Sequence, residues 1–163
     1  MDNNKKTISR SLVREYQPAR LELNDYTLMV AKSVLDDLWK ERLDSRGRFY
    51  EGHRDGSAKF ASLLAQRLFG GKLCGNQNHS FVELPDGKII DLNDDQRYVA
   101  ALGSDAHARD DIHMMNHETR ASFGSCVPRI ERWAQRAVEA CPKSFAITAK
   151  TDFSLKRDFE PSR

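Results

Sequence analysis

Three residues in one stretch of the chain are of the types that together carry out nucleophilic chemistry. Ser57 stands where an apolar helix is predicted to begin, and His79 and Asp91 lie on two predicted strands that follow it. The N-terminus of a helix stabilises an anion through its free N–H groups. A neighbouring imidazole exchanges a proton with the nucleophile, and a carboxylate behind the imidazole fixes its tautomer. The order of these residues therefore indicates a nucleophile, a base and an orienting acid.

The register of the predicted hairpin over residues 79–92 decides whether His79 and Asp91 share a face of the sheet. A two-residue turn at 86–87 would place them on opposite faces, whereas a three-residue loop at 85–87 would make them diagonal neighbours on one face. The loop sequence PDG favours three residues, because Pro suits the first position of a type I turn and Gly supplies the left-handed position that follows. The opposite face of the hairpin would then carry a mostly apolar set: Ser80, Val82, Leu84, Ile90 and Leu92.

The stretches GSAKFASLLAQRLFGG and HSFVELPDGKIIDL resemble the core of papain-like and transglutaminase-like cysteine enzymes. In that broad group a Cys begins a helix, a His opens the following strand and an Asp comes after a DG turn. The resemblance implies an α+β fold in which the helix bearing the nucleophile packs on a small antiparallel sheet. It also implies that His79 is the general base and acid, that Asp91 orients it, and that Ser57 occupies the position where the family has Cys.

The activity that the resemblance implies is acyl transfer on an amide bond, as in a cysteine protease, an amidase, or a glutamine deamidase or transglutaminase. The expected partner is a protein or peptide substrate with a susceptible amide, and no cofactor is expected. A hydroxyl at position 57 has a far higher pKa than a thiol and cannot form a thiolate–imidazolium pair. The chain is therefore an inactivated Cys-to-Ser variant, a serine enzyme, or a pseudoenzyme that only binds; the intact surroundings of Ser57 favour the first.

A second candidate for the nucleophile is Cys126, which precedes another predicted helix. The order His79, Asp91, Cys126 resembles that of the adenovirus and SUMO proteases, and it needs no substitution to be active. Two features count against this alternative. Pro128 stands where the helix of that family runs on, and no Gln precedes Cys126 in the family's pattern.

One polar segment offers two metal-ligating side chains, His113 and His117, which would share one face of a helix. Met114 stands where zinc proteases have a Glu, and no third ligand is evident, so no metal is expected. Three residues upstream of position 57 are candidates for the oxyanion-hole donor: Gln17, Asn24 and His53.

The composition is that of an ordinary globular protein, with 39% hydrophobic and 31% charged residues and a net charge of +2. Because the charge is nearly balanced and the sequence has no dense basic block, we do not expect nucleic acid as a partner. No apolar run approaches the ~20 residues of a membrane helix, and the polar start lacks the apolar stretch of a secretory signal. We expect a cytoplasmic protein, or an effector of bacterial type that a specialised system delivers into a target cell. Three cysteines, few and widely spaced, indicate reduced thiols: Cys74, Cys126 and Cys141.

The elements that must position these side chains follow from apolar periodicity and from turn residues. We predict a flexible segment at 1–20, a single catalytic-type domain at 21–150 and a tail at 151–163. The predicted helices run from Asn24 to about Leu43, from Ser57 to the glycines at 70–71, and over 127–141. Residues 93–123 are expected to form a long loop with short helical pieces, and SFAITA at 144–149 to form a final strand. The sequence does not indicate an oligomeric state.

Overall fold

The computed structural model describes residues 10–50, 57–93, 99–100 and 107–147. Within these ranges the fold is mixed α+β, as expected. Its helices are α1 Arg10–Arg14, α2 Asp25–Ser45, α3 Ala58–Phe69, α4 Asp111–Met115, α5 His117–Gly124 and α6 Val127–Ala140. Its strands are β1 Lys72–Gly75, β2 Ser80–Glu83, β3 Lys88–Ile90 and β4 Val99–Ala100, which form one antiparallel sheet in the order β1-β2-β3-β4.

Helix α3 packs against α6 and against strands β1 and β2 of the sheet. Its sequence is apolar on nearly every side, which is typical of a helix buried on more than one face. Toward α6, Phe60 stacks on Trp133 with 5.4 Å between the ring centroids. The helix ends at Gly70, whose φ is 73° and whose Cβ, if present, would lie 2.4 Å from the backbone oxygen of Gln17. Only glycine fits this end of the helix.

Helix α2 begins where the sequence predicts. The Asn24 side chain accepts the N–H of Thr27 at 2.9 Å, and the Thr27 hydroxyl accepts the N–H of Asn24 at 3.0 Å. This reciprocal pair satisfies two N–H groups that the first turn would leave unbonded. The predicted helices starting near residues 24, 57 and 127 are all confirmed.

The N-terminal part of the described chain is packed against the domain. Leu12 and Val13 of α1 belong to the main apolar core, and the backbone of Gln17 pairs with that of Gly71. The prediction of a flexible segment at 1–20 therefore does not hold over residues 10–20. Residues 1–9 and the predicted tail at 151–163 lie outside the described residues.

The hairpin formed by β2 and β3 has the predicted register. Val82 pairs with Ile90, and the N–H of Leu84 donates to the carbonyl of Lys88 at 2.8 Å. Gly87 has a φ of 87°, which is the left-handed conformation that the last position of the loop requires. The three-residue loop at 85–87 therefore closes the hairpin.

The two faces of this hairpin serve different clusters. The face that carries Val82 and Ile90 joins the main core, and Leu84 packs against that core. The other face contributes Phe81 and Ile89 to a small second cluster with Cys74. Because side chains alternate along a strand, His79 and Asp91 belong to the face of this second cluster.

The polar stretch after the sheet contains short helices, as predicted, but it departs from one expectation. Helices α4 and α5 are separated at Asn116, whose ψ of 139° is extended and whose side chain accepts the N–H of Glu118 at 2.8 Å to begin α5. His113 and His117 therefore lie on different helices and do not share a helical face. Among the described helices, none combines the length and apolar character needed to cross a membrane.

The final strand predicted at 144–149 is wrong for its described part. Residues Lys143–Phe145 form a 3-10 turn, and Ala146 makes a single isolated bridge to Leu21. Ala146 pairs with Leu21, which does not belong to a strand, so the pairing does not extend into a ladder. Residues 148–149 lie outside the described residues.

Candidate functional site

Ser57 directly precedes α3 and is fully buried. Its hydroxyl does not cap the helix, although Ser at this position commonly bonds an N–H of the first turn. Instead, Oγ lies 3.1 Å from Nδ2 and 3.3 Å from Oδ1 of Asn93, which follows β3. The hydroxyl is therefore directed toward the hairpin rather than toward its own helix.

The predicted pair of His79 and Asp91 is present. Nε2 of His79 lies 2.5 Å from Oδ2 of Asp91, although 12 residues separate the two in sequence. The His79 side chain is 19% exposed, whereas that of Asp91 is 6% exposed. The imidazole is therefore the more exposed member of the pair, and the carboxylate is the buried one.

The turn between β1 and β2 fixes the backbone of His79. The Asn76 side-chain oxygen accepts the N–H groups of Asn78 and His79, at 2.9 and 3.1 Å. The Asn76 N–H in turn donates to the His79 carbonyl at 2.8 Å. Gly75 lies so close that a Cβ there would be 2.6 Å from that same carbonyl oxygen. These contacts leave the start of β2 little freedom to move.

Ser80 joins the start of β2 to the start of α3. Its hydroxyl donates to the carbonyl of Ala58 at 3.0 Å and lies 2.8 Å from the hydroxyl of Ser62, and both partners belong to α3. Since His79 directly precedes Ser80, these bonds hold the backbone at His79 near the end of α3 that Ser57 precedes. A polar residue on the core face of the hairpin thus has a specific role in assembling the site.

Asp91 is buried and accepts hydrogen bonds at both carboxylate oxygens. Oδ2 meets Nε2 of His79 and, at 3.0 Å, Nε2 of His107, while Oδ1 accepts the N–H of Asn93 at 3.0 Å. Burial by itself raises the pKa of this carboxyl. The hydrogen bonds from His79 and His107, the charge of His79 and the Asn93 N–H outweigh burial, so the pKa of Asp91 lies below its usual value. The carboxylate is therefore ionised at neutral pH.

Two residues of the site, Asn93 and His107, were not predicted. Asn93 could have been found, because it follows Asp91 by two residues, and an Asp side chain commonly accepts the backbone N–H two residues on. His107 lies 16 residues beyond Asp91, after a stretch without regular periodicity, and carries no comparable signal. Its ring is buried and meets the Phe81 ring edge-on at 5.1 Å.

Two histidines and a carboxylate are also the composition of a metal site. The ligand atoms of His79, Asp91 and His107 lie within 4.8 Å of one another. Metal bonds of about 2.0–2.1 Å would require an angle of about 75° at the metal to hold two ligand atoms 2.5 Å apart, against about 109° for tetrahedral zinc. The His79–Asp91 contact is therefore a hydrogen bond.

The other candidates from the sequence lie elsewhere. In the described part of the chain, the Cys126 thiol donates to the carbonyl of Ser122 at 3.6 Å and lies 3.9 Å from the Ser125 hydroxyl, and no contact joins it to His79 or Asp91. The Gln17 side chain donates to the carbonyl of Ser11 at 3.0 Å, near the far end of α3. Asn24 caps α2, and His53 lies outside the described residues.

Comparison with models of protein families, with curated proteins and with solved structures found no match.

Proposed function

We propose that this chain has the site of a papain-like or transglutaminase-like amide hydrolase or acyltransferase. Ser57 holds the nucleophile position, His79 is the base and acid, and Asp91 orients the imidazole. The observation that carries the proposal is the 2.5 Å hydrogen bond between His79 and Asp91 at the end of α3 that Ser57 precedes. The substrate class is a protein or peptide with a susceptible amide.

The proposed reaction uses Nδ1 of His79, because Nε2 is engaged by Asp91. The nucleophile at position 57 attacks the amide carbonyl carbon and gives its proton to Nδ1. The imidazolium then passes this proton to the amide nitrogen, the C–N bond breaks, and an acyl-enzyme remains. Water or an amine then attacks the acyl carbon and gives a proton to Nδ1, the bond to position 57 breaks, and the side chain at position 57 takes the proton back, which gives hydrolysis or transamidation. Asp91 stabilises the imidazolium without taking its proton.

The hydroxyl of Ser57 limits this reaction. A thiol at the N-terminus of a helix and beside an imidazole loses its proton before the substrate binds, whereas a hydroxyl does not. Ser57 is also fully buried and bonded to Asn93 rather than to His79. We therefore propose that the chain with Ser57 is silent or slow, and that a cysteine at this position would be activated.

The test is alkylation of Ser57→Cys by limiting iodoacetamide across mildly acidic to mildly basic pH, with the labelled site identified by peptide mass spectrometry. We expect the introduced thiol to be labelled at pH values well below about 8.5, the pKa of a free cysteine. When His79→Ala is added, the labelling at these lower pH values should be lost. Burial raises the pKa of the native Cys74 and Cys141 thiols, so their labelling at acidic pH stays low. The parent chain measures the remaining background.

A non-catalytic binding module is the second candidate, and the burial of Ser57 against Asn93 favours it. If the introduced thiol reacts no faster than a free cysteine, the site is not a thiol hydrolase site and the binding module is supported. If Cys126 instead labels rapidly in every variant, the nucleophile is Cys126, and the assignment of position 57 is wrong.

A further inference from the structure

We propose that His107 is a positioning residue of this site, which holds the Asp91 carboxylate in the orientation that accepts the Nε2–H of His79. This inference rests on the proposed function, because it takes His79 as the base, and it adds a residue with no part in the resemblance. His107 acts through Asp91 and does not touch position 57 or a substrate.

The carboxylate is held from three directions. His79 and His107 both meet Oδ2, at 2.5 and 3.0 Å, and the backbone N–H of Asn93 meets Oδ1 at 3.0 Å. The two imidazole rings are tilted by 59° and their centroids lie 5.8 Å apart, so they approach the oxygen along different lines. A rotation of the carboxylate that kept the bond to one ring would weaken the bond to the other.

The protonation of both rings follows from the charge of Asp91. An ionised carboxylate only accepts hydrogen bonds, so each Nε2 that contacts it must carry a hydrogen. His79 is thereby fixed with its hydrogen on Nε2, and Nδ1 is the nitrogen that can exchange a proton with position 57. His107 reinforces this tautomer, because it fixes the carboxylate that selects it.

The burial of His107 argues against a packing role alone. Its side chain is 3% exposed, and its buried Nδ1 has no hydrogen-bond partner among the described residues. A buried polar atom without a hydrogen-bond partner destabilises the fold, and an apolar side chain of similar size would avoid this cost. The Nε2–H bond to Asp91 is the feature of the ring that an apolar residue would not supply.

The segment that carries His107 is anchored to the turn that presents His79. The Asn76 side-chain amide donates to the carbonyl of Ala108 at 2.7 Å, and the N–H of Asp110 donates to the carbonyl of Gly75 at 2.8 Å. The backbone segments of both histidines are therefore joined at the turn after β1, and both rings contact the same oxygen of Asp91.

The experiment measures the imidazole ¹⁵N signals of the chain with Ser57 in place, so that no activity is required. At neutral pH we expect His79 and His107 to carry their hydrogen on Nε2. In His107→Phe the His79 signals should move toward a mixture of the two tautomers, while His107→Gln, whose amide N–H can replace Nε2–H, should keep the parent pattern. His113→Gln, in the same polar segment, is the control and should leave His79 unchanged.

A second readout uses the labelling assay. In the Ser57→Cys background, His107→Phe should slow alkylation at acidic pH by on the order of tenfold, and His107→Gln should restore most of the rate. If His107→Phe does not fold, Asp91→Asn replaces it: the signals of His79 and His107 should then change together, and a response of His79 alone would overturn the assignment.

Two further results would overturn the proposal. One is a folded His107→Phe chain with unchanged His79 tautomer and labelling rate, which would reduce His107 to a packing residue. The other is stoichiometric Zn²⁺ binding that shifts both Nε2 signals, which would make the cluster a metal site. The two proposals can fail separately. If the thiol of Ser57→Cys is not labelled at acidic pH but the His79 tautomer still depends on His107, the proposed function is wrong, whereas the positioning of Asp91 by His107 is supported.

Discussion

Substituting Gly75 with alanine should damage the fold and the site together, because this glycine lies where β1 touches the start of β2. A Cβ at position 75 would lie 2.6 Å from the His79 carbonyl oxygen and 3.0 Å from the Cα of Ser80. Both are backbone atoms, which cannot rotate away as a side chain would. The third near atom belongs to a side chain, the Met114 sulfur at 3.1 Å.

The size of the effect follows from these distances. To restore a 3.0 Å contact, the His79 carbonyl must retreat by at least 0.4 Å, the difference between 3.0 and 2.6 Å. Overpacking of this kind costs about 1–3 kcal/mol. At about 2–4 °C per kcal/mol for a chain of this size, a loss of about 2 kcal/mol lowers the melting temperature by about 4–8 °C. Because the carbonyl belongs to His79, we expect its displacement to alter the contact of His79 with Asp91 as well.

Thermal and urea unfolding followed by circular dichroism measure the first effect, and the imidazole ¹⁵N signals of His79 measure the second. Gly47→Ala is the matched control, because Gly47 has a φ of 67° but nothing within 4 Å of its Cβ position. Gly47→Ala should lower the free energy of unfolding only by the about 1–2 kcal/mol that a left-handed conformation costs alanine, and it should leave the His79 signals unchanged. A Gly75→Ala chain as stable as the parent, or an equal disturbance of His79 in both variants, would contradict this role of Gly75.

Two other predictions concern charge and packing. Because the pKa of Asp91 lies below its usual value in the fold, its ionised form stabilises the fold above the usual aspartate pKa of about 3.9, and this contribution is lost as the pH falls through the lower, folded-state pKa. Asp91→Asn should therefore lower the free energy of unfolding at pH 7, and urea unfolding should show the difference from the parent shrinking at the lowest pH; a constant difference would contradict this. Leu64 is fully buried in α3, so Leu64→Ala should lower the free energy of unfolding by about 2–5 kcal/mol. Met29 is 58% exposed, so Met29→Ala should change it by less than about 0.5 kcal/mol. Equal effects in urea unfolding would contradict the assignment of the core.

The hairpin and its pair of residues could be predicted because their determinants are local. The order Pro85-Asp86-Gly87 specifies a three-residue loop, and the loop fixes which residues face each other along both strands. The period of two then places His79 and Asp91 on one face without reference to the rest of the chain. Helix α3 was predictable for the same reason, since its apolar residues and its terminal glycines are contiguous in sequence.

The remainder of the site depends on contacts that no local pattern encodes. The edge strands β1 and β4 are short, with four and two residues, so neither shows a strong alternation. His107 reaches Asp91 only because the Asn76 turn anchors the segment that follows it. Whether Ser57 or Cys126 faced the hairpin was likewise a question of packing, which the arrangement of α3 between α6 and the sheet decides.

The short hairpin that carries His79 and Asp91 has a consequence for the order of folding. Bringing these two residues together closes a loop of 12 residues, whereas the contact of Ser57 with Asn93 spans 36. Loop-closure entropy grows with length, and hairpins form in about 1–10 μs, before non-local packing is complete. We expect His79 and Asp91 to meet early, so that α3, with Ser57 before it, docks onto a pair that is already formed.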